Sequence, residues 1–162
     1  MGMEKSNLIS IARILSVIGL LVQGFMILWT WELLPDIIPI HYNFSGNADG
    51  YGDKSDLFLL FGLSLGLYFG LNWLSRRPQK FNYPWKIDEK NAEHQHRLAA
   101  IFIQIIKAET IWLFTFISWQ SIITAINGEG RLGTYFIILI LIVSSLTVVG
   151  YLLAASRSVD VS

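Results

Sequence analysis

Four long apolar runs, separated by polar connections, dominate the chain: about Leu8–Trp31, Leu57–Ser75, Leu98–Ile126 and Leu132–Ala155. Each is long enough to cross the ~30 Å hydrocarbon core of a bilayer, which takes about 20 helical residues at 1.5 Å per residue. The pattern predicts an all-α integral membrane fold, a bundle of four transmembrane helices forming a single membrane domain over residues 1–162, with a structured outer loop at 32–56 and a cytoplasmic loop at 76–97. The first run is too long for a cleavable signal peptide and no small-residue cleavage site follows it, so it is expected to be retained.

The connection after the first run carries the densest polar pattern. Pro35 and Pro39 cannot both lie inside a helix, so the first helix is expected to end near Leu34. From Ile38 to Phe44 the residues alternate, with Ile38, Ile40, Tyr42 and Phe44 on one side and Pro39, His41 and Asn43 on the other. That is the period of an extended segment with one apolar face. Gly46, Gly50 and Gly52 then read as turns, and Ser55-Asp56 reads as an N-cap and first-turn acid for the second helix.

Composition agrees with the pattern. The chain is 53% hydrophobic and 15% charged, and its mean hydropathy is +0.50, too apolar for an ordinary soluble domain of this size. Cysteine is absent, which excludes disulfides, thiolate metal sites and cysteine nucleophiles. Net charge is zero but unevenly placed. Arg76, Arg77, Lys80, Lys86, Lys90 and Arg97 lie between the second and third runs, Lys5 precedes the first and Arg157 follows the fourth, whereas Lys54 and Arg131 alone occupy the other two connections. The positive-inside rule puts both termini and the 76–97 loop in the cytoplasm of a multi-pass cell-membrane protein, and the Pro35–Ser55 loop and the Asn127–Arg131 turn outside. Trp29, Trp31, Trp73 and Trp119 fall where interfacial aromatics belong. The basic loop is expected to meet the lipid bilayer and its anionic headgroups, with no nucleic acid as partner.

Gly62, Gly66 and Gly70 recur every fourth residue in the second run and share one helical face, which permits close helix approach. Ala12, Ser16, Gly19 and Gln23 provide a comparable face on the first run, so a tight first–second helix pair is expected; a homodimer through the glycines is the competing use.

Three groups of residues are candidates for chemistry. Ser45, Asn47, Asp49, Tyr51, Asp53 and Asp56 fall on the ligand positions of a twelve-residue calcium loop with Gly50 at the sixth place, so Asn47, Asp49, Asp53 and Asp56 are candidate metal ligands. Position one is Ser rather than Asp and position twelve is the shorter Asp, and a glycine-rich turn with solvated acids accounts for the same residues. His41, beside Asn43 and near Asp36, is a candidate hydrogen-bonding or proton-accepting group. His94 and His96 lie on the other side of the membrane in this topology, and no zinc-protease or serine-elbow pattern is present, so no cofactor is expected. Finally, Arg13, Gln104, Lys107 and Glu109 are polar groups within membrane-spanning runs, where ionisable residues are costly. Lys107 and Glu109 project about 200° apart on a helix and cannot pair with each other. Lys107 is expected to snorkel toward the inner surface, and an Arg13–Glu109 bridge is expected to satisfy the deeper carboxylate.

Two motifs carry a family resemblance: Pro35-Asp-x-Ile-Pro39-x-His41-Tyr42-Asn43-x-x-Gly46-x-x-Asp49-x-Tyr51-Gly52-x-Lys54, and Phe81-Asn82-Tyr83-Pro84-x-x-Ile87 followed by Asn91, Gln95 and Arg97-Leu98. In these the chain resembles a family of bacterial and archaeal membrane domains of unknown function that also forms part of the immunity protein SdpI. The resemblance favours Pro39, His41, Asn43, Gly46, Asp49 and Lys54 as a shared unit, argues against calcium ligation, and implies a role in resisting a secreted toxin or in signalling. The chain is shorter than SdpI and is expected to lack the further spans that follow the shared domain there.

The reading these features favour is a non-enzymatic multi-pass membrane protein recognising an extracytoplasmic ligand, a membrane-active peptide or envelope component, through Asp36, Pro39, His41, Asn43, Gly46, Asp49 and Lys54. The competing readings are a small transporter or channel component using Glu109, Lys107, Arg13 and Gln104, and a membrane-embedded enzyme using His41 and Asp49.

Overall fold

A computed structural model of the chain describes residues 2–43, 45–128 and 134–157. The described elements are helix α1 (Gly2–Thr30), strands β1 (Ile37–Tyr42) and β2 (Ala48–Asp53), and helices α2 (Asp56–Ser75), α3 (Ala92–Asn127) and α4 (Thr134–Arg157), with one-turn 3-10 segments at Trp31–Leu33 and Pro78–Lys80. Within these, four stretches are long and apolar enough to cross a membrane: Asn7–Leu33, Asp56–Ser75, Ala92–Asn127 and Ile138–Arg157. Phe44 of the alternating segment and the Asn127–Arg131 turn beyond Gly128 lie outside the described residues.

The exterior and interior are inverted relative to a soluble domain. Leu21, Leu59 and Phe69 point outward, each more than half exposed, while Ser16, Gln23, Ser64, Gln104, Thr115 and Ser118 are buried between helices. Apolar residues gain nothing by turning inward when the surroundings are hydrocarbon; small and polar ones gain close packing and partners. The hydroxyls of Ser16, Ser64, Thr110 and Thr115 bond back to the carbonyl four residues earlier, which satisfies them without water.

Helix α3 is the hub. Trp112 Nε1 donates to the Leu15 carbonyl, Thr115 Oγ1 to the Gly19 carbonyl, and Gln23 Nε2 to Ser118 Oγ, at 3.1, 3.1 and 3.0 Å. Both residue numbers rise together, so α1 and α3 run parallel. Helix α2 is antiparallel to α3, with Asn72 and Ser75 beside Gln104 and Leu57 packed with Ile122. Helix α4 is antiparallel as well, with Phe136 against Phe116 and Tyr151 against Phe102. The start of α1, the 76–91 connection and the end of α4 therefore share one end of the bundle, and the β1–β2 hairpin caps the other.

Three expectations are corrected. The fold is not purely helical, because β1 and β2 pair antiparallel into a two-stranded sheet. Gly50 and Gly52, read as turn residues, lie inside β2. The small face of α1 is used, but against α3: a methyl on Gly19 would stand 2.9 Å from Ile111 Cγ2. Gly62, Gly66 and Gly70 meet nothing, with open space where each Cβ would stand, so the expected α1–α2 pairing through them does not form. The hydroxyls of α3 offer α1 hydrogen bonds that glycines cannot.

These packings predict opposite outcomes for two glycines. Gly19→Leu should lower the melting temperature of the detergent-solubilised protein, with overpacking costing about 1–3 kcal/mol. Gly66→Leu should leave it at or above that of the parent, because it enters open space and replaces the poorest helix former but proline.

Candidate functional site

The hairpin is built by most of its own polar residues. Asn43 Oδ1 accepts the N–H groups of Ser45 and Asn47 at 2.9 and 3.1 Å, and the Asn43 carbonyl accepts Gly46 N–H at 2.8 Å. Gly46 sits at φ 78°, the left-handed region that glycine enters without strain. At the open end, Lys54 N–H donates to the Asp36 carbonyl, and Lys54 Nζ lies 3.3 Å from Asp36 Oδ1, 3.4 Å from the Leu34 carbonyl and 5.0 Å from the Trp31 ring centroid. Ile38 and Pro39 are buried, Ile38 joining Ile27, Leu34, Leu57 and Ile122 in an apolar cluster, while Tyr42 Oη donates to Thr124 Oγ1 of α3. Of the residues in the loop motif, Asp36, Pro39, Asn43, Gly46 and Lys54 therefore close and seat the hairpin.

Of the seven candidate recognition residues, His41 and Asp49 are what remains; Tyr51 of the motif also stands exposed on β2. The pairing register sets His41 opposite Gly50, so close that a methyl there would stand 2.8 Å from His41 Cβ. The ring turns to the neighbouring residue, and His41 Nδ1 lies 2.5 Å from Asp49 Oδ1. The His41 side chain is 71% exposed and that of Asp49 42%. Holding Nδ1 against a carboxylate orients the ring and leaves Nε2 outward, able to accept a hydrogen bond or proton, or to donate when the ring is charged.

The calcium arrangement is not formed. A strand rises about 3.3 Å per residue, which spreads Asp49 and Asp53 of β2 about 13 Å apart, and among the described residues no three His, Cys, Asp or Glu side chains converge for a metal. Asn47 sits at the hairpin turn and Asp56 opens α2, so Asn47, Asp49, Asp53 and Asp56 serve separate places. Asp53 acts locally: its Oδ1 accepts the Ser55 N–H at 2.8 Å, and that backbone bond, with the Ser55 side chain, holds its carboxyl below the ordinary value of 3.8. Ser55, expected to cap α2 with its hydroxyl, makes no such cap, because Asp53 has already fixed the turn.

The polar groups within the helices fall into two separate sets rather than one. Lys107 is fully buried toward α2, donating to Gln104 Oε1 at 2.7 Å with its ammonium 4.6 Å from the Tyr68 ring centroid; Gln104 Nε2 in turn donates to Ser75 Oγ and Asn72 Oδ1. It does not snorkel. Glu109 faces α4, accepting from Thr147 Oγ1 at 2.6 Å and Ser144 Oγ at 3.1 Å. The expected Arg13–Glu109 bridge is absent among the described residues, since two hydroxyls of α4 already hold the carboxylate and Arg13 is exposed beside the buried Ala12 face of α1.

The second sequence motif is structural too. Tyr83 Oη donates to the Pro78 carbonyl at 3.0 Å and its ring lies beside Phe81 and His96, a burial that pushes its hydroxyl up to about 12. Asn91 Oδ1 accepts from Asp88 N–H, and Gln95 Nε2 reaches the Ala155 carbonyl of α4 at 2.8 Å. What sequence reasoning missed was a stripe on α3, Thr115, Ser118, Ser121 and Thr124, buried polar residues at every third position. The spacing is visible in the sequence; the partners are not.

The family model described as Domain of unknown function (DUF1648) matches residues 18–65, from the second half of α1 through the hairpin into α2. It is the family that the loop motif resembles, and its match takes in the whole hairpin. No curated protein and no solved structure matches the chain.

Two predictions follow from this chemistry. A carboxylate whose folded pKa lies below its unfolded value stabilises above the unfolded value and ceases to as pH falls through the folded one. Asp53→Ala should therefore melt below the parent at neutral pH, and the gap should close below about pH 3.8. For Glu109, a double-mutant cycle of Glu109→Ala with Thr147→Val should show coupling, on the order of 0.6 kcal/mol for membrane hydrogen bonds, while Glu109→Ala with Arg13→Ala should be additive.

Proposed function

We propose that the chain is a non-enzymatic membrane protein whose hairpin end faces out of the cell, with both termini and the basic 76–97 segment in the cytoplasm, and that the hairpin recognises an extracytoplasmic ligand through His41 and Asp49. One observation carries the reading. Of the seven candidate recognition residues, Asp36, Pro39, Asn43, Gly46 and Lys54 are spent on closing or seating the hairpin, whereas His41 and Asp49 stand exposed and, among the described residues, bond only to each other. A rigid scaffold presenting oriented polar groups at its tip is the usual form of a recognition loop. The eight basic residues that lie in the sequence before the first span, between the second and third, and after the fourth, against two in the other connections, support the orientation. Immunity to a membrane-active peptide, or envelope sensing, is the role that the family resemblance supports.

The transporter reading rests on Lys107, a fully buried ammonium with no carboxylate beside it among the described residues. Against it, Lys107 meets the Tyr68 ring of α2 and Gln104 of its own helix while Glu109 meets Thr147 of α4, so they do not form one polar route.

Cells expressing the chain, challenged with a panel of membrane-active peptides, test both. His41→Ala or Asp49→Ala should abolish protection with an unchanged melting temperature, and Glu109→Gln should retain it. A large melting loss with each hairpin substitution would reduce the hairpin to a structural clasp, and loss of protection confined to Glu109→Gln would favour transport.

A further inference from the structure

Beneath the hairpin, between β1, α2 and α3, lies a cleft of about 450 Å³ walled by Ile40, Leu60, Leu63 and Ile117. Its size falls within the ~300–1,000 Å³ of small-ligand sites, and like them it is apolar with a few polar groups. Two polar groups line it, Asp56 and Ser121. Ser121 is 3% exposed and belongs to the hydroxyl stripe of α3, where Thr115 bonds the Ile111 and Gly19 carbonyls, Ser118 accepts from Gln23, and Thr124 accepts from Tyr42. Ser121 alone of the four has no hydrogen-bond partner among the described residues, although the Ile117 carbonyl is one turn away. The Ser121 hydroxyl, in the wall of the cleft and without a partner among the described residues, is available to a ligand there. The Asp56 carboxylate is also unpaired among the described residues and lies against the hairpin backbone: a methyl on Gly52 would stand 2.5 Å from its Oδ2.

The charge around the cleft selects the occupant. Residues 32–56 carry Glu32, Asp36, Asp49, Asp53 and Asp56 against Lys54 alone, and Lys54 is already paired with Asp36. An anionic ligand is repelled from such a rim, and a plain acyl chain leaves the Asp56 carboxylate without a counter-charge. We infer that the cleft receives a cationic amphipathic peptide arriving along the membrane surface, its apolar side chain between Ile40, Leu63 and Ile117 and its ammonium or guanidinium on Asp56. The inference rests on the recognition reading above and supplies the chemical class of its ligand. His41 and Asp49 then meet the part of the peptide that stays at the tip of the hairpin.

The test uses the full chain in phosphatidylcholine nanodiscs and a model amphipathic Leu/Lys peptide carrying one photoactivatable leucine, with cross-links mapped by mass spectrometry. Cross-links should concentrate on Leu60, Leu63 and Ile117, fall several-fold in Asp56→Asn, fall again in Leu60→Trp, which fills the cleft, and be absent with a Leu/Glu peptide of the same pattern. Cross-links spread over the lipid-facing surface of α4, equal labelling by the Leu/Glu peptide, or indifference to both substitutions overturns the inference. Loss of labelling when phosphatidylethanolamine replaces phosphatidylcholine makes a lipid ammonium the occupant, and overturns it likewise. If His41→Ala abolishes protection in cells but no peptide enters the cleft, recognition by the hairpin stands and the cationic peptide falls. If the cleft labels as expected while His41→Ala cells remain protected, the inference stands and the role given to His41 falls.

Discussion

Inside hydrocarbon a hydrogen-bonding group has no water to fall back on, and the architecture of this chain follows from how α3 meets that demand. Its hydroxyls and its glutamine bind α1 and α2, and its glutamate binds α4. Apolar attraction cannot choose between helix faces when lipid tails are as apolar as leucine. The polar residues choose, and they put α3 in the middle.

The same demand explains why two ionisable groups two residues apart on one helix end in unrelated surroundings. Their directions differ by about 200°, and a helix between two neighbours offers each a different partner. Lys107 meets the amide oxygen of Gln104 and the face of Tyr68, whereas Glu109 meets two hydroxyls. Among the described residues, both are held without an opposite charge. That solution suits a static bundle better than an ion path, which needs polar groups in sequence along one route.

The hairpin is where the bundle leaves lipid and where the family-like residues collect. It is tied down at three places: the Lys54–Asp36 pair at its open end, Tyr42 on Thr124 at its far end, and Ile38 in the apolar cluster between them. Two antiparallel strands alone are marginal in water, so these ties are what make the sheet a fixed platform. On that platform His41 and Asp49 need only each other to be oriented, and the acidic rim and the cleft below lie within the same small structure.

Much of this was legible in the chain and much was not, for physical reasons. Span number, span limits to within a few residues, the helix-ending prolines and the small face of α1 are local properties of composition and period, and the sequence determined them. The residues of the loop motif fall in and beside the hairpin, and the motif did not separate those that build it from those that face outward. Strand β2 was hidden because Ala48–Asp53 has neither apolar alternation nor strand-forming residues other than Tyr51; it is a strand because β1 lies beside it. Gly62, Gly66 and Gly70 promised a contact with α1 that open space replaces, and Arg13 and Glu109 promised a bridge that α4 hydroxyls replace. A sequence states which groups need partners; only the tertiary structure decides which partner is nearer, because that depends on helix order and rotation, which no single helix encodes.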